Sequence, residues 1–269
     1  MLEVNHSEMT VSAPISKKAR RQQQIVAELA NSPPVRISEL AERFGVSTET
    51  ARRDIEELSQ RGVIDRTYGG AVTRYIGFQP AVSERDRHAV AERSRIGRAA
   101  AALVKPGDVV MIDSGSTTTQ FARALASMLP GPITVLTNSI PVATTLVDIP
   151  SVRVIMCPGD LNGRERGIYG TDTVGFISRY HADLCFIGAS GLTADGPTDV
   201  ESRACSVKRA MVDRASKTML LVDSSKFDQK HLEVVCPLAR VSGIITDAAP
   251  GKELAGAIKR VGTMLKIAG

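Results

Sequence analysis

The sequence lacks the features of an exported, membrane-spanning or disulfide-rich protein. None of its apolar runs reaches the roughly 18 residues that a membrane helix needs. Residues 1–16 contain no apolar core of a signal peptide. The four cysteines are widely spaced and form no CxxC pair, which argues against a disulfide framework or a zinc site. We therefore expect a soluble cytoplasmic protein with no metal site.

Composition and charge are those of an ordinary globular protein with a hydrophobic core. Apolar residues make up 43% of the sequence and charged residues 23%, as in typical folded domains. The formal net charge of +5 mildly favours a polyanionic partner, although many proteins without such a partner have a similar charge. A length of 269 residues fits either two domains or one large α/β domain.

The pattern along the chain favours two domains. Residues 1–16 are polar and lack periodicity, which indicates a flexible arm. Residues 17–75 are charged and helical in pattern. We expect residues 76–98, which are polar and rich in arginine, to form a linker that becomes helical toward Ile96. Residues 99–269 contain short apolar runs that alternate with helical stretches, which predicts a larger α/β domain.

The order of elements in the small domain predicts a winged helix-turn-helix. A first helix ends before the break at residues 31–34 (NSPP), and a second helix begins at the N-cap Ser38 and stops at Gly45. Ser47 caps a third helix, and the glycine pair at 69–70 predicts a hairpin between two β-prone runs. Short helices joined by a tight turn and followed by a hairpin describe this DNA-binding motif.

The third helix has a face that suits the major groove of DNA. If Ala51, Ile55 and Leu58 pack inward, hydroxyl side chains and arginines lie on the opposite face. In an isolated helix, such charges are more often a solvated surface. The complete order of helices and hairpin favours DNA binding instead. The candidate DNA-binding residues are Ser47, Thr48, Thr50, Arg52 and Arg53, with Arg66, Tyr68 and Arg74 on the hairpin.

The helices and hairpin of the small domain also resemble a known protein family. Residues 38–72 strongly resemble the N-terminal domain of the DeoR family of bacterial transcriptional regulators. The family usually has isoleucine at the position of Ala51, a difference that leaves the DNA-facing positions intact. The chain matches the family signature at Val46, Ser47, Thr50, Arg52, Arg53, Asp54, Leu58, Gly62, Arg66, Tyr68, Gly69, Gly70 and Ala71.

Six apolar runs in the larger domain predict the strands of one sheet. Helical stretches separate the runs, a pattern typical of a mainly parallel sheet with helices on both faces. The runs cover residues 108–112, 133–137, 152–156, 183–187, 217–222 and 243–246.

The segment 113–119, with the sequence DSGSTTT, follows the first run and suits a phosphate group. Hydroxyls and backbone N–H groups at a helix N-terminus favour a phosphate monoester, and Gly115 allows close approach of the backbone. Alone, the segment is weak support, since it has neither a Walker A nor a GxSxG pattern. Four other strand ends are polar or rich in glycine. Because the carboxyl ends of parallel strands meet at one edge, we expect them to form a shared crevice.

The larger domain also looks like the sensor domain of the DeoR family. Shared motifs begin at Asp113 (D-x-G-[ST]-T), Thr137 (TNS) and Asp223 (D-x-SKF). One departure is Pro158, where many relatives have glycine. The resemblance implies a fold similar to ribose-5-phosphate isomerase and a site for a phosphorylated sugar or polyol. It implies effector contacts at Asp113, Ser114, Gly115, Ser116, Thr117 and Thr118, and further wall residues at Asn138, Gly159, Asp160, Gly188, Gly191 and Lys226.

Two functions remain to be weighed, a DNA-binding regulator and a sugar-phosphate isomerase with an appended helical domain. Isomerisation needs a carboxylate base, and several carboxylates are available, among them Asp160 and Glu201. No spacing singles out one of them, and Asp199 and Glu201 suit helix capping equally well. A DNA-reading domain joined to a phosphate site favours a switch. We expect a regulator with no catalytic residue and no cofactor, most simply a repressor of a catabolic operon that acts as a homodimer or homotetramer on operator DNA and is relieved by its effector.

Overall fold

A computed structural model describes residues 17–31, 35–60, 64–67, 70–73, 79, 81–85, 89–129 and 131–269. The chain divides into two compact units, Met1–Tyr75 and Ile76–Gly269. None of the helices in the described ranges is long and apolar enough to cross a membrane.

The first unit combines three helices with a small antiparallel sheet. The helices are α1 (Lys17–Asn31), α2 (Ile37–Arg43) and α3 (Thr48–Gln60), and the strands are β1 (Val35–Arg36), β2 (Ile64–Thr67) and β3 (Gly70–Thr73). Strand β3 pairs with β2 on one side and with β1 on the other. The predicted helices and hairpin are confirmed, whereas β1 was not predicted. Helix α2 begins at Ile37, so the prediction that Ser38 is its N-cap is wrong.

The core of the first unit comes from the apolar faces of its helices and from β2. Helix α3 contributes Ile55 and Leu58, which are 0% and 2% exposed. They pack with the other members of the cluster, Ile25, Leu29, Leu40 and Ile64. Burial of each such side chain contributes about 1.5–3 kcal/mol, so this apolar face holds α3 in its orientation. Gly45 follows α2 with φ of 61°, a conformation that glycine adopts at helix ends without steric cost.

The second unit is the larger one. Its helices are α4 (Val82–Arg85), α5 (Val90–Ala101), α6 (Ser116–Met128), α7 (Ile140–Leu146), α8 (Thr171–Ile177), α9 (Ser202–Arg214) and α10 (Lys252–Arg260). Its strands are β4 (Val109–Ile112), β5 (Ile133–Thr137), β6 (Val152–Met156), β7 (Asp160–Asn162), β8 (Gly167–Tyr169), β9 (Ala182–Ile187), β10 (Gly191–Thr193), β11 (Gly196–Asp199), β12 (Ala215–Leu221), β13 (Glu233–Val234), β14 (Gly243–Thr246) and β15 (Met264–Ile267).

Seven of these strands form one parallel sheet in the order β15-β14-β12-β9-β4-β5-β6. The six predicted strands all lie in it, and β15 adds an edge that the sequence pattern did not predict. The chain runs outward from β4 through β5 to β6, and later outward in the other direction from β9. The order therefore reverses between β4 and β9, which is where open parallel sheets bind ligands.

Helices cover both faces of this sheet, as predicted. Alternate residues of each strand point to opposite faces, so Met111 and Cys185 join one core while Ile112 and Phe186 join the other. The first core includes Val207 and Met211 of α9, Ile177 of α8 and Ile258 of α10. The second includes Ile96 of α5, Phe121 of α6 and Val142 of α7. The rings of Phe121 and Phe186 have centroids 4.2 Å apart.

Residues 90–98 of the predicted linker are helical, in line with the expectation that the segment becomes helical toward Ile96. Helix α5 begins at Val90, and its residues Ile96 and Ala100 are fully buried against the sheet. The charged side chains between these apolar positions conceal an apolar stripe with i, i+4 spacing, which explains why the segment resembles a linker in sequence. Residues 76–98 belong to the second unit.

Candidate DNA-binding surface and effector crevice

Helix α3 of the first unit presents a basic, exposed face. The side chains of Arg52 and Arg53 are 59% and 74% exposed. Glu49 lies 3.3 Å from Nε of Arg53 and 3.7 Å from Nη1 of Arg52. Exposed pairs of this kind stabilise a protein by only about 0–1 kcal/mol, so they exchange readily for other anions. Both arginines are therefore available to phosphates or to guanine edges.

The N-terminus of α3 adds exposed hydroxyl groups to this face. Ser47 accepts a hydrogen bond from the backbone N–H of Thr50 at 3.1 Å, and its Oγ lies 2.8 Å from Oγ1 of Thr50. The expected cap at Ser47 is thus confirmed. Ser47 and Thr48 are exposed, and Thr50 is half-buried. The first N–H groups of a helix lack partners within the helix, which suits this end to a DNA phosphate.

Asp54 of α3 faces the interior. It is 1% exposed, and its carboxylate accepts hydrogen bonds from Nε of Arg21 at 2.5 Å and from the amide of Gln22 at 3.2 Å. Both partners lie on α1. Asp54 therefore holds α3 against α1 and orients the basic face without belonging to it.

The three hairpin residues predicted to contact DNA are only partly described. Arg66 lies on β2, where its backbone is opposite Ala71 of β3. The structure does not describe the side chain of Arg66, and Tyr68 and Arg74 lie outside the described residues.

In the second unit, a crevice of about 510 Å³, open to solvent, lies at the carboxyl ends of β4 and β9. This is the reversal point of the sheet, and residues of the segment 113–119, predicted for the phosphate group, line the crevice. The residues that line the crevice come from the ends of β4, β9, β11 and β12, from helices α4, α5, α6 and α9, from the β7–β8 hairpin, and from Gln79. They are Gln79, Arg85, Arg93, Ser114, Gly115, Ser116, Thr117, Glu165, Tyr169, Gly188, Ala189, Ser190, Asp199, Val200, Glu201, Ala204, Lys208 and Lys226.

One wall of the crevice is the N-terminus of α6 with the loop before it. Ser114, Ser116 and Thr117 are 5–8% exposed and line the space. The hydroxyl of Ser114 lies 2.7 Å from that of Tyr169, which joins this loop to the β7–β8 hairpin. The partial positive charge of a helix N-terminus and nearby hydroxyl donors favour an anionic group at this wall.

A buried lysine lies beneath the opposite wall. Nζ of Lys208 on α9 is 2.5 Å from Oδ2 of Asp113 and 3.4 Å from Oδ2 of Asp199. Burial alone lowers the pKa of Lys208, but the two carboxylates outweigh it and the net shift is upward. Burial also raises the pKa of Asp113, although Lys208 offsets part of that rise. Lys208 is therefore a fixed cation at the edge of the crevice.

A second buried ion pair lies at the end of β12. Nε of Arg93 on α5 donates to Oδ2 of Asp223 at 2.9 Å, and both side chains are at most 5% exposed. Burial raises the pKa of Asp223, but the charges of Arg93 and Lys226 outweigh that effect and lower it overall. Asp223 therefore stays ionised and orients Arg93 toward the space that Lys226 also lines.

The β7–β8 hairpin, Gln79 and Arg85 line the third side of the crevice. Arg85 pairs with Glu165 at the hairpin turn. The guanidinium of Arg164 donates to the carbonyl of Gln79 at 2.6 Å, and the hydroxyl of Ser190 donates to the side chain of Gln79 at 2.6 Å. Gln79 and Arg85, which follow Ile76 in the chain, are thus part of the crevice wall.

Six of the twelve sequence-predicted effector residues line the crevice: Ser114, Gly115, Ser116, Thr117, Gly188 and Lys226. Asp113 and Thr118 lie directly behind them and are fully buried. Asn138 also lies behind the wall, where its side chain accepts from the N–H of Ser114 at 3.1 Å and donates to the carbonyl of Ile168 at 3.1 Å.

The remaining three predicted residues are not brought to the crevice. Asp160 is exposed on β7. Gly159 has φ of 135°, and an added Cβ would lie 2.3 Å from Oγ1 of Thr173. At Gly191 an added Cβ would lie 2.0 Å from the carbonyl oxygen of Gln229. The two glycines therefore serve close packing at their positions.

Several crevice residues were not predicted as effector contacts, among them Gln79, Arg85, Arg93, Glu165, Tyr169, Asp199 and Lys208. One signal was present in the sequence. Ala204, Lys208, Met211 and Val212 follow the i, i+4, i+7, i+8 spacing of one buried helix face. Lys208 is therefore a charged residue at a position of α9 where the pattern predicts an apolar one.

Comparison with known proteins agrees with both parts of this description. Residues 88–248 match the family model described as the DeoR C terminal sensor domain. Residues 21–74 match the DeoR-like helix-turn-helix domain. The chain belongs to the DeoR family. The resemblance seen in the sequence is confirmed, and the chain is a DNA-binding transcriptional regulator of the DeoR type.

Relatives of this DeoR-family chain include named repressors. It is 32% identical over 235 residues to the glycerol-3-phosphate regulon repressor of Escherichia coli (strain K12), covering 87% of this chain and 92% of the relative. It is 32% identical over 230 residues to the HTH-type transcriptional repressor GlcR of Bacillus subtilis (strain 168), covering 82% and 85%.

Among solved structures, ribose 5-phosphate isomerase A from Methanocaldococcus jannaschii is similar with a TM-score of 0.40 and 17% identity. The likeness covers 52% of this chain and 55% of that one.

Proposed function

We propose that this DeoR-family regulator represses a carbohydrate or polyol catabolic operon and releases its operator when a phosphorylated sugar or polyol binds in the crevice. The observation that supports this most strongly is the position of the crevice. It lies where the strand order reverses, between β4 and β9, and it is bordered by the N-terminus of α6.

The polar groups around the crevice suit a phosphorylated effector. Four cationic side chains line it, Arg85, Arg93, Lys208 and Lys226, with the carboxylates of Glu165, Asp199 and Glu201. Asp113 and Asp223 lie behind the lining and pair with Lys208 and Arg93, so the preference for an anion comes from the N-terminus of α6 and not from an excess of cationic side chains. The helix N-terminus with Ser116 and Thr117 adds donors for phosphate oxygens. The carboxylates are acceptors for sugar or polyol hydroxyls. A small molecule with one phosphate and several hydroxyls fits this arrangement, with the phosphate at the donors and the hydroxyls at the carboxylates.

The effector residues in this proposal fall into two groups. Ser114, Gly115, Ser116, Thr117 and Lys226 bind the phosphate and the adjoining polar groups. Asp113, Thr118 and Asn138 act from behind the wall, because their hydrogen bonds and ion pairs fix the loop and Lys208. The name of the glycerol-3-phosphate regulon repressor is consistent with a phosphorylated polyol as one candidate.

DNA binding is proposed to rest on the exposed face of α3. Ser47, Thr48 and Thr50 contact the backbone and base edges near the helix start, and Arg52 and Arg53 contact phosphates or guanines. The flanking phosphates of the DNA backbone are contacted by the hairpin residues Arg66, Tyr68 and Arg74. One such domain contacts few base pairs, so we propose a homodimer or homotetramer that reads two half-sites in the cytoplasm.

A combined binding and turnover test distinguishes the proposed repressor from the alternative, a sugar-phosphate isomerase. Glycerol 3-phosphate, ribose 5-phosphate and glucose 6-phosphate are each added to the full chain, and the melting temperature and the formation of isomerised product are both measured. A ligand at 100 times its Kd should add about 2.7 kcal/mol to the stability. We expect at least one compound to raise the melting temperature without turnover. Steady turnover, or no stabilisation by any of these compounds, would count against the proposal.

A further inference from the structure

Arg85 is buried beside the crevice and has a donor without an acceptor. The residue is 9% exposed, and its Nε is buried without a hydrogen-bond partner among the described residues. One terminal nitrogen of the same guanidinium, Nη2, pairs with Glu165. A buried donor left unsatisfied costs about 1–3 kcal/mol, and more when it is charged, so the arrangement favours any molecule that brings an acceptor.

The shape of the guanidinium defines what such a molecule should be. Nε and the terminal nitrogens form a planar fork that binds the oxygens of phosphates and carboxylates. Glu165 pairs with Nη2, and Nε is left without an acceptor in the described part of the chain, on a side chain that lines the crevice.

The segment that carries Arg85 is hydrogen-bonded to the crevice walls at several points. The N–H of Val82 donates to the carbonyl of Arg164 at 3.1 Å, and the carbonyl of Arg85 accepts from Nη1 of Arg93 at 2.5 Å. Gln79 is joined to Ser190 and to Arg164. Along the chain, this segment follows shortly after Tyr75, where the DNA-binding unit ends.

We propose that Arg85 is an effector-binding residue: its Nε–H donates to an anionic oxygen of the effector, and the effector thereby binds the segment that leads into the DNA-binding unit. The inference rests on the proposed function and adds the route by which the crevice communicates with the rest of the chain. Binding stabilises the contacts of Gln79, Arg85 and Arg93 with the crevice walls, because the effector supplies the acceptor that Nε lacks. A ligand shifts a conformational equilibrium only through such a differential contact.

The structural and ligand-binding roles of Arg85 are separated by a matched pair of variants. Glu165→Gln removes the ion pair and keeps the Nε–H. The double variant Arg85→Met with Glu165→Gln also removes the donor and leaves no unpaired carboxylate at position 165. Arg98→Gln, an exposed arginine on α5 outside the crevice lining, is the control.

The probes are glycerol 3-phosphate, ribose 5-phosphate and glucose 6-phosphate, titrated into the full chain by calorimetry. The Arg98→Gln variant should bind within about threefold of the wild type. Glu165→Gln changes a crevice carboxylate, so it is the reference for the double variant and not a silent control. The double variant should bind about 10- to 100-fold more weakly than Glu165→Gln, the range expected for a hydrogen bond to a charged group. Equal affinities of Glu165→Gln and the double variant would overturn the inference.

Amide hydrogen exchange with the same probes tests the connection to the segment. The bound probe should slow exchange of residues 81–101 in Glu165→Gln and not in the double variant, whereas identical protection in both would overturn the inference. If the double variant does not fold, Arg85→Lys replaces it, because lysine keeps the charge beside Glu165 and has no Nε–H. That variant should lose about tenfold in affinity, and wild-type affinity would overturn the inference. Failure of every probe to bind the wild type contradicts the proposed function itself, and the Arg85 contact with it.

Discussion

Lys208 and Asp113 form a buried ion pair with a distance of 2.5 Å between Nζ and Oδ2, and it joins α9 to the end of β4. The two residues are 3% and 0% exposed. Asp199 lies 3.4 Å from the same ammonium. One cation therefore connects the helix to both walls of the crevice.

Lys208→Met should destabilise the protein strongly, because it leaves two buried carboxylates without their counter-charge. Breaking a buried pair in this way costs about 3–5 kcal/mol. Adding Asp113→Asn should recover part of the loss. Urea denaturation of the full chain gives the change in free energy of unfolding, with Lys259→Met, an exposed lysine on α10, as the control. A loss of less than about 1 kcal/mol for Lys208→Met would show that the pair contributes little.

The Arg93–Asp223 pair predicts a pH dependence with a defined sign. The folded-state pKa of Asp223 lies below its ordinary value of 3.8. The carboxylate therefore stabilises the fold fully above that ordinary value, and the contribution is lost as the pH falls through the folded pKa. We expect the melting temperature of Asp223→Asn to fall less steeply below about pH 4 than that of the wild type.

Asp148→Asn, a substitution at an exposed aspartate, is the control for this pH series and should keep the wild-type slope. Parallel acid slopes for the wild type and Asp223→Asn would contradict the assigned shift.

The sheet and the position of the crevice were predictable because the signals are local. Runs such as 133–137 are apolar over one strand length, and the hydroxyl-rich segment 113–119 directly follows another. The reversal of strand order then places the ends of β4 and β9 together. A parallel sheet leaves few other places for a ligand.

The walls of the crevice were less predictable because they depend on distant partners. Lys208 meets Asp113 across 95 positions of the chain, and Arg93 meets Asp223 across 130. The spacing of Arg93 with Ile96 and Ala100 places it on the buried face of α5. No local pattern, however, indicates Asp223 as its partner. For Gly159 and Gly191 the local motif was misleading. Both lie in motifs that implied effector contacts, but in the structure each glycine is explained by close packing, which leaves no room for a Cβ.

On α3, Arg53→Ala should weaken DNA binding, because its side chain is 74% exposed on the basic face. A phosphate or base contact by arginine is worth about 1–3 kcal/mol, and loss of a phosphate contact also lowers the salt dependence of binding. Fluorescence anisotropy with a duplex selected by the protein from a random library gives both quantities. Arg260→Ala, at the exposed end of α10, should leave the affinity unchanged. Unaltered affinity of Arg53→Ala would exclude its assigned role.

Glu49→Gln should have the opposite effect on the same duplex. Its carboxylate lies 3.3 Å from Arg53 and 3.7 Å from Arg52, and it would repel DNA phosphates. We expect tighter binding, by a few-fold at low salt, with a smaller difference at high salt. Weaker binding would indicate that Glu49 orients the arginines for contact.

The four cysteines should be unreactive in the folded chain, because all are buried. Burial raises the pKa of Cys157 and Cys205 to about 12 and that of Cys236 to about 11. At pH 8 these groups are thiols, and the thiolate is the reactive form. Ellman's reagent should label none of them in the native protein and all four after addition of guanidinium chloride. Rapid native labelling would show that a region around one cysteine opens.

The central claim is that the crevice controls the DNA-reading helix through a phosphorylated effector. The direct measurement is anisotropy of the selected duplex bound to the full chain while the phosphorylated compound that stabilises the protein is added. The wild type should release the duplex as the compound is added. The Thr117→Ala, Lys226→Ala double variant should bind the duplex and retain it at the same concentrations. Equal release from both proteins, or no release from the wild type, would contradict the account.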